Sequence, residues 1–196
     1  MGDSLASGNN AVALLGNSIA TGAGLYVLIT LLGPISGAHF NPVVSAMFWR
    51  LGHISKYKLF GYWFVQFCGA IAGVWLTHLL FGSPILQESV KERTGMGIWV
   101  SEFISTLVLL SVIHIGDKVA KDKVPMLVAL TVTAGYWFTS STFFSNPAVA
   151  LARGFTNTFV GISPKDIGPF LIAEIFAVII FMMLFCRPEK KPNAGV

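Results

Sequence analysis

Two asparagine-proline pairs are the residues whose types and spacing could do chemistry. Asn41-Pro42 opens the segment NPVVSAMFWR, and Asn146-Pro147 opens NPAVALARGF, 105 residues further along the chain. Asparagine is a preferred helix N-cap and proline fits the first helical position, so each pair predicts the start of a helix. The amide group of each asparagine can donate hydrogen bonds to a passing molecule, while carbonyl groups of the adjoining loop accept them. This chemistry suits water and small hydroxylated molecules.

The elements that must position these pairs are membrane spans. The chain has 196 residues, of which 54% are hydrophobic and only 11% are charged, whereas soluble domains carry about 25% charged residues. Uncharged stretches long enough to cross a bilayer recur along it. We predict five full spans, at residues 11–32, 59–81, 97–116, 124–144 and 167–186. This composition excludes a water-soluble globule.

Both asparagine-proline segments are too short to cross the bilayer. The stretch from Pro42 to Arg50 is about 13 Å long as a helix, close to half the hydrocarbon thickness. Pro34 and Gly37 are predicted to break the helix before it. Three spans separate the two segments, so they enter from opposite faces as an inverted repeat and their N-termini meet near the midplane. Two helix N-termini there create a positive potential that repels cations and protons.

The basic residues indicate the orientation of the chain rather than a nucleic-acid partner. The net charge is +4, but Lys and Arg lie in the connecting segments and the tail, which is the positive-inside pattern. Nine of them fall on one side and four on the other, which predicts an external N-terminus. We predict a single domain, residues 1–196, with a first repeat at 11–81, a second at 97–186 and a cytoplasmic tail at 187–196. Neither a metal cluster nor a nucleophile-base pair occurs at a workable spacing, so no metal, cofactor or enzyme activity is predicted.

Over essentially its whole length the sequence resembles the major intrinsic protein family, the aquaporins and aquaglyceroporins. SGAHFNPVV is similar to the family's first Asn-Pro-Ala loop, with Val43 in place of Ala, and SNPAVALAR is similar to the second, whose tripeptide ends at Ala148. Glu102 and Thr106 match the family's Glu-x-x-x-Thr. The resemblance implies an all-α membrane fold of six spans and two half-helices. Since we predict five spans, the family's first span is expected to be absent, either by truncation before Met1 or in a natural five-span variant.

The resemblance also implies which residues form the selectivity filter. The family usually has an arginine directly after the second tripeptide, where this chain has Val149. Matching the other filter positions by their distance from the asparagines gives Thr21, Ala134 and Phe143. These residues predict a wide and comparatively apolar constriction, which Arg153, one turn further along the helix, can partly complement. Valine at this position resembles a bacterial branch associated with metalloid transport, which implies passage of arsenite-like and methylated arsenical species.

Three further polar residues are candidates for a supporting role. Glu102 is an ionisable group inside a span, and the family uses it to hold loop backbone groups in place, so a scaffold role is expected. His39, two residues before Asn41, is expected to line and brace the pore rather than to titrate as a gate. Glu174 has no predicted partner, and its role stays open.

The predicted function is a passive transmembrane channel for small uncharged solutes: water, glycerol-like polyols, and arsenite or methylated arsenicals. The alternative is an N-terminally truncated, non-conducting homologue that assembles with complete channels. A coupled transporter needs a relay of intramembrane acids, for which only Glu102 and Glu174 are available. The resemblance further implies a homotetramer in the cell membrane, with neutral solutes and the lipid bilayer as partners.

Overall fold

A computed structural model of the chain describes residues 1–186, and this part consists of helices without strands. The eight α-helices are α1 (Gly2–Leu5), α2 (Asn10–Ser36), α3 (Pro42–Arg50), α4 (Lys56–Leu80), α5 (Met96–Val119), α6 (Val124–Phe138), α7 (Pro147–Arg153) and α8 (Pro164–Phe185). A 3-10 turn, Lys121–Lys123, leads into α6. The predicted all-α class is confirmed. The predicted tail at 187–196 lies outside the described residues.

Four of the helices, α2, α4, α5 and α8, are long and apolar enough to cross a membrane. Many of their large hydrophobic side chains point outward: Leu31, Phe64 and Ile172, for example, are 63%, 70% and 69% exposed. Apolar surface on this scale is unfavourable in water and is normal where acyl chains cover it. The chain is therefore a multi-span membrane protein.

The span predicted at 124–144 is wrong at its C-terminal end. The helix α6 has 15 residues, about 22 Å in length, which is shorter than the hydrocarbon core. The residues that follow it leave the helical conformation, and three of them, Thr142, Phe143 and Ser145, have φ values of 61°, 55° and 47°. Hydropathy did not reveal this change because the irregular segment contains the apolar pair Phe143 and Phe144.

The first span continues further than predicted, because Pro34 lies inside the last turn of α2 instead of ending it. A proline there removes one backbone hydrogen bond near a helix end that already has unpaired groups. The helix ends one turn later at Gly37, whose φ of 78° is left-handed and whose N–H donates to the carbonyl of Gly33 at 2.8 Å. Glycine takes this conformation without the steric penalty of a Cβ atom.

The two short helices α3 and α7 confirm the predicted half-spans. Asn41 caps α3, where its side-chain oxygen accepts from the backbone N–H of Val43 at 3.0 Å. Asn146 caps α7 in the same way, accepting from the N–H of Ala148 at 3.1 Å. Both half-helices pack against α4 and α8, while α2 packs along α6. This arrangement brings the two capping residues together.

Candidate functional site

The two motif asparagines clamp the two half-helices together, N-terminus to N-terminus. The Asn41 side-chain amide donates to the Ser145 carbonyl at 2.6 Å, and the Asn146 amide donates to the Phe40 carbonyl at 2.9 Å. Each asparagine thus caps its own helix with its oxygen and ties down the opposite loop with its nitrogen. One N–H of each amide is engaged in this clamp, which leaves the second N–H as the donor for a passing molecule.

Both loops that carry the clamp are held in unusual backbone conformations. Ala38 and Phe40 before α3 have φ values of 45° and 49°, and Ser145 before α7 has a φ of 47°. Side chains other than glycine adopt this left-handed region rarely, and runs of it occur where surrounding structure imposes it. The consequence here is that the carbonyls of Phe40 and Ser145 face the opposite asparagine.

Both asparagines, Asn41 and Asn146, line a cavity of about 200 Å³. Helical side chains spaced four residues apart form most of its wall, because such residues share one helix face. They are Thr21, Leu25 and Ile29 on α2, Val44 and Phe48 on α3, Leu109 and Ile113 on α5, Val124, Val128, Val132 and Tyr136 on α6, and Val149 and Arg153 on α7. No carboxylate lines it within residues 1–186. The result is a mainly apolar passage with a few hydrogen-bonding groups.

Several motif residues lie away from this cavity. Pro42, Val43 and Pro147 line a separate, apolar cavity of about 370 Å³ between α3, α4 and α8. Ala148 is 2% exposed and lines neither cavity. The prediction that all six motif residues line the pore is therefore corrected: successive residues of a helix point about 100° apart, so only the two asparagines reach the passage.

Among the four predicted filter residues, Thr21, Phe143 and Val149 line the cavity and Ala134 does not. Ala134 is exposed on the outer face of α6, because it lies two residues, or about 200°, from the inward-facing Val132. The inward position above Val132 belongs to Tyr136 instead, which is 3% exposed. Matching by distance along the chain missed Tyr136, whereas the four-residue spacing of α6 from Val128 onward identifies it.

Arg153 and Tyr136 meet at the end of the cavity that lies beside Thr21. The Nη2 of Arg153 donates to the Tyr136 hydroxyl at 3.1 Å, and that hydroxyl lies 3.2 Å from the Oγ1 of Thr21. The guanidinium also stacks over the Phe144 ring, 4.1 Å from its centroid. A hydrogen-bonded chain thus connects α7, α6 and α2 across the passage, and it holds a permanent positive charge there.

Two fully buried carboxyl groups hold the loop before α7. Glu102 accepts from the backbone N–H of Ser145 and, at 3.3 Å, from that of Phe144. Glu174 accepts from the backbone N–H of Asn146 at 2.7 Å. Glu102 therefore lies where a scaffold role requires it, and Glu174 has a partner that sequence reasoning did not find. Buried amides without acceptors are costly, so these contacts stabilise the irregular backbone.

His39, in the loop before α3, and Gln66, on α4, both contact Ser45 of α3. The Nδ1 of His39 lies 3.1 Å from the Ser45 hydroxyl, to which Gln66 also donates at 2.9 Å. The imidazole ring stacks on Phe48 and Tyr62 at centroid distances of 4.7 and 4.8 Å. His39 lines the cavity and its ring is stacked on both faces, while its role as a bracing residue stays a prediction.

Arg93 is a buried cation that the sequence did not single out. Its Nε donates to the Gly161 carbonyl at 2.9 Å, and its Nη1 donates to the Thr142 hydroxyl at 3.3 Å. Burial, followed by the neighbouring Arg153 charge, lowers the pKa of Arg93 to about 10, so it stays charged at neutral pH. Through Thr142 it holds the loop before α7, and it does not line the cavity.

Two half-helices meeting in a membrane bundle, with paired asparagines beside one narrow cavity, define a channel for small solutes. Residues 3–182 match the Major intrinsic protein family, and the chain belongs to this family. Members of it are channels.

Curated relatives agree with this family. The chain is 49% identical to the aquaglyceroporin AqpS of Rhizobium meliloti (strain 1021), over 94% of this chain and 78% of that relative. It is 30% identical to the aquaporin NIP2-2 of Zea mays, over 95% of this chain and 65% of that relative. It is also 30% identical to the aquaporin-5 of Rattus norvegicus, over 86% of this chain and 68% of that relative. The chain thus spans about two thirds to four fifths of the length of these relatives.

Proposed function

We propose that this chain is a passive channel for small uncharged hydroxylated solutes: water, glycerol-like polyols, and arsenite or methylated arsenicals. The observation that carries the proposal is the cavity itself, which passes Asn41 and Asn146 between apolar walls. A solute there exchanges some of its water for the free asparagine N–H groups and loop carbonyls. A relative that is 49% identical is described as an aquaglyceroporin, which supports polyols among the solutes.

Ions are excluded by the positive ends of α3 and α7. Each helix N-terminus carries roughly half a positive charge, and the two meet at the asparagine clamp. Within residues 1–186 no acidic side chain lines the cavity to offset that potential. Neutral molecules cross this point at a lower free-energy cost than cations or protons do.

Thr21, Phe143 and Val149 form the wide part of the proposed filter, and Ala134 has no place in it. None of these three residues carries a charge, so at this level the Tyr136 hydroxyl and the Arg153 guanidinium add the other polar groups that a solute the size of glycerol or arsenous acid meets. We further propose a homotetramer in the cell membrane with a cytoplasmic C-terminus. A non-conducting homologue is the less favoured alternative, because both asparagines flank a cavity.

The test is Val149→Arg in reconstituted proteoliposomes, followed by stopped-flow light scattering at matched protein density. The added guanidinium narrows the passage beside Val149, so we expect glycerol and arsenite flux to fall at least about tenfold, which corresponds to roughly 1.4 kcal/mol of added barrier. Water flux is expected to fall much less.

Val149→Leu is the matched control, since it adds volume without charge or donors. If the parent excludes glycerol and arsenite while it passes water, the wide-pore proposal is wrong. If the parent and the arginine variant pass these solutes equally, Val149 does not set the filter.

A further inference from the structure

An apolar groove lies behind the two half-helices. It is the cavity of about 370 Å³ that Pro42, Val43 and Pro147 line, and we call it the lateral groove. Its floor is α3 with the start of α7, and its walls are α4 and α8, each of which packs against both half-helices. Only apolar atoms line it, and it shares no lining residue with the cavity beside the asparagines.

The place of the lateral groove in the fold is independent of any further span. The inverted repeat pairs α2 with α6, α3 with α7 and α4 with α8. In the second repeat α5 packs against α6 and α8, so the matching place in the first repeat lies beside α2 and α4. The lateral groove lies between α4 and α8 instead, and its lining residues belong to α3, α4, α7 and α8.

The lateral groove runs through one half of the membrane only. On α3 it extends from Pro42, beside the asparagine clamp, to Trp49, which is about 10 Å along the helix. On α8 it extends over a similar length, from Ile175, next to the carboxyl group that holds Asn146, to Met182. One leaflet contributes about 15 Å of the hydrocarbon core. The groove therefore lies at the depth of the acyl chains in the leaflet at the C-terminal end of α3.

The rim of the lateral groove is continuous with the lipid-facing surface. Ile175 and Ile179 line the groove and are still 49% and 43% exposed. Water does not fill an apolar groove of this kind, because it finds no hydrogen-bonding partners there. An empty groove would leave its lining atoms without dispersion contacts. An acyl chain of the surrounding bilayer is narrow and flexible enough to enter between α4 and α8 and supply those contacts.

Two basic residues lie at the headgroup end of the groove. Arg50 directly follows Trp49 and ends α3, and Lys56 begins α4 about one turn before the groove residue Leu59. Lys56 is exposed, and its Nζ lies 5.9 Å from the centroid of the Phe60 ring. Neither basic residue takes part in an ion pair within residues 1–186. Long basic side chains at this depth reach the phosphate groups of anionic lipids.

We propose that the lateral groove binds one acyl chain of an anionic phospholipid and that Arg50 and Lys56 hold the phosphate of that lipid. The chain contacts Pro42 and Pro147, the first residues of α3 and α7. It thereby packs against the back of both half-helices, directly behind the asparagine clamp. Because the lipid binds this groove only in the folded chain, it stabilises the fold. The binding is independent of conduction and goes beyond the proposed function.

The first measurement is the quenching of tryptophan fluorescence by phospholipids with brominated acyl chains, which quench on contact. Trp63 is the reporter, because it lines the groove and its indole N–H donates to the Pro42 carbonyl at 3.0 Å. The other four tryptophans are replaced by phenylalanine, and the full chain is reconstituted in vesicles of phosphatidylglycerol. We expect brominated chains to lower the Trp63 emission at least twofold relative to unbrominated ones.

Ile179→Phe fills the groove from α8, and Ile172→Phe is its matched control. Both isoleucines are exposed on α8, but only Ile179 lines the groove. We expect Ile179→Phe to reduce the quenching of Trp63 at least twofold and Ile172→Phe to leave it unchanged. Ala46→Leu fills the groove from α3 and gives the same test if Ile179→Phe does not fold. Quenching that is equal in all variants overturns the proposal. An unquenched Trp63 in the parent also overturns it, and a second copy that covers the groove would give that result.

The headgroup contact is tested by comparing brominated phosphatidylglycerol with brominated phosphatidylcholine. We expect phosphatidylglycerol to reach half-maximal quenching at a mole fraction at least threefold lower. Lys56→Gln is expected to reduce this preference. Lys121→Gln is the matched control, because Lys121 lies in the turn before α6 and pairs with Asp117 at 3.8 Å. Equal quenching by the two lipids would mean that Arg50 and Lys56 do not hold the phosphate.

The second measurement is thermal unfolding in detergent, with all tryptophans in place. Added phosphatidylglycerol is expected to raise the unfolding midpoint of the parent. The rise is expected to be smaller in Ile179→Phe, whose ring occupies the groove before lipid is added, and complete in Ile172→Phe. An equal rise in all three proteins would mean that lipid acts on the general surface, and the proposal would be wrong. Both measurements detect binding and not transport, so a parent that passes no solute contradicts the proposed function alone.

Discussion

Buried carboxyl groups hold the loop before α7, whereas an imidazole and an amide are anchored on a hydroxyl of α3 itself. In the loop before α7, the backbone N–H groups of Phe144, Ser145 and Asn146 all donate to Glu102 or Glu174. In the first repeat, His39 of the loop before α3 and Gln66 of α4 converge on the Ser45 hydroxyl of α3 instead. The asparagine clamp is nearly symmetric, but its supports are not. The two halves of the inverted repeat therefore share the geometry of the asparagine contacts at the midplane. The side chains that support those contacts differ between the halves.

The helices around the two loops also differ, in how closely they pack against one another. In the second repeat, α5 packs against both α6 and α8. In the first repeat, a cavity of about 690 Å³ lies between α2 and α4, lined by small residues that include Gly16 and Gly73. Tight packing limits side-chain motion and so keeps the hydrogen bonds of buried carboxyl groups intact.

The largest expected effect is the difference in the free energy of unfolding between variants of Glu102 and Gln66. Glu102→Ala removes the acceptor of two buried amides, each at about 1 to 3 kcal/mol, so we expect a loss of about 3 kcal/mol or more in the free energy of unfolding. Gln66→Ala removes one hydrogen bond to Ser45 and is expected to lose about 1 kcal/mol. Unfolding by detergent titration in identical micelles measures both.

Glu102→Gln is the conservative companion, since it keeps one acceptor oxygen and the shape of the side chain. It is expected to lose less than Glu102→Ala. Equal losses for Glu102→Ala and Gln66→Ala would mean that the two loops are supported equally, against the difference drawn from their contacts.

The sequence predicted what depends on residue type at fixed spacing. The Asn41 and Asn146 caps, the two half-helices and their meeting followed from capping chemistry and from an odd number of spans between them. The end of α6 did not follow, because the irregular backbone after Phe138 is stabilised by groups far along the chain, such as the Ser101 hydroxyl that accepts from the Ser140 N–H at 3.1 Å.

The candidate site likewise contains residues that the sequence predicted and residues that it did not. Counting residues from the motif found Thr21 and Val149, which line the cavity. Counting failed at Ala134, because whether a helical residue lines the cavity depends on the helix face on which it lies. The partner of Glu174 is a backbone N–H 28 residues away, which leaves no trace in side-chain spacing. Tyr136 carries a visible signal, the four-residue repeat of α6, that a pattern search on the inward face recovers.

A smaller effect tests whether the asparagine clamp is symmetric. Asn146→Asp and Asn41→Asp each replace a donor by a carboxylate that faces a loop carbonyl. We expect about 2 kcal/mol of destabilisation from each, because the loop carbonyl loses its donor and faces a carboxylate instead. We also expect a measurable Na⁺ conductance in planar bilayers from both, because the carboxylate offsets the positive helix ends.

Asn146→Leu and Asn41→Leu are the uncharged controls, and neither is expected to conduct Na⁺. A leak from one aspartate variant alone would show that the two half-helices contribute unequally to ion exclusion. Unchanged neutral-solute flux without any leak from Asn146→Asp would remove Asn146 from the conduction path.

The smallest expected effect compares alanine substitutions at two helix glycines, Gly22 on α2 and Gly73 on α4. A Cβ at Gly22 on α2 would lie 1.9 Å from the Thr133 Oγ1 of α6 and 3.1 Å from the Ala129 carbonyl, whereas a Cβ at Gly73 on α4 meets no atom within 4 Å. Gly22→Ala must displace the Thr133 hydroxyl, which also donates to the Ala129 carbonyl at 2.9 Å. It is expected to destabilise the protein by about 1 kcal/mol after the gain in helix propensity is included.

Gly73→Ala keeps the gain in helix propensity without a clash, so we expect a change between zero and about 1 kcal/mol of added stability. The same detergent titration measures both glycine variants, with Gly69→Ala as a second site on α4 where a Cβ meets no atom within 4 Å. If Gly73→Ala costs as much as Gly22→Ala while Gly69→Ala is neutral, another helix covers the face between α2 and α4 in the membrane. The contrast between an open first half and a closed second half would then be wrong at that face, although the difference between the carboxylate and neutral loop supports would stand.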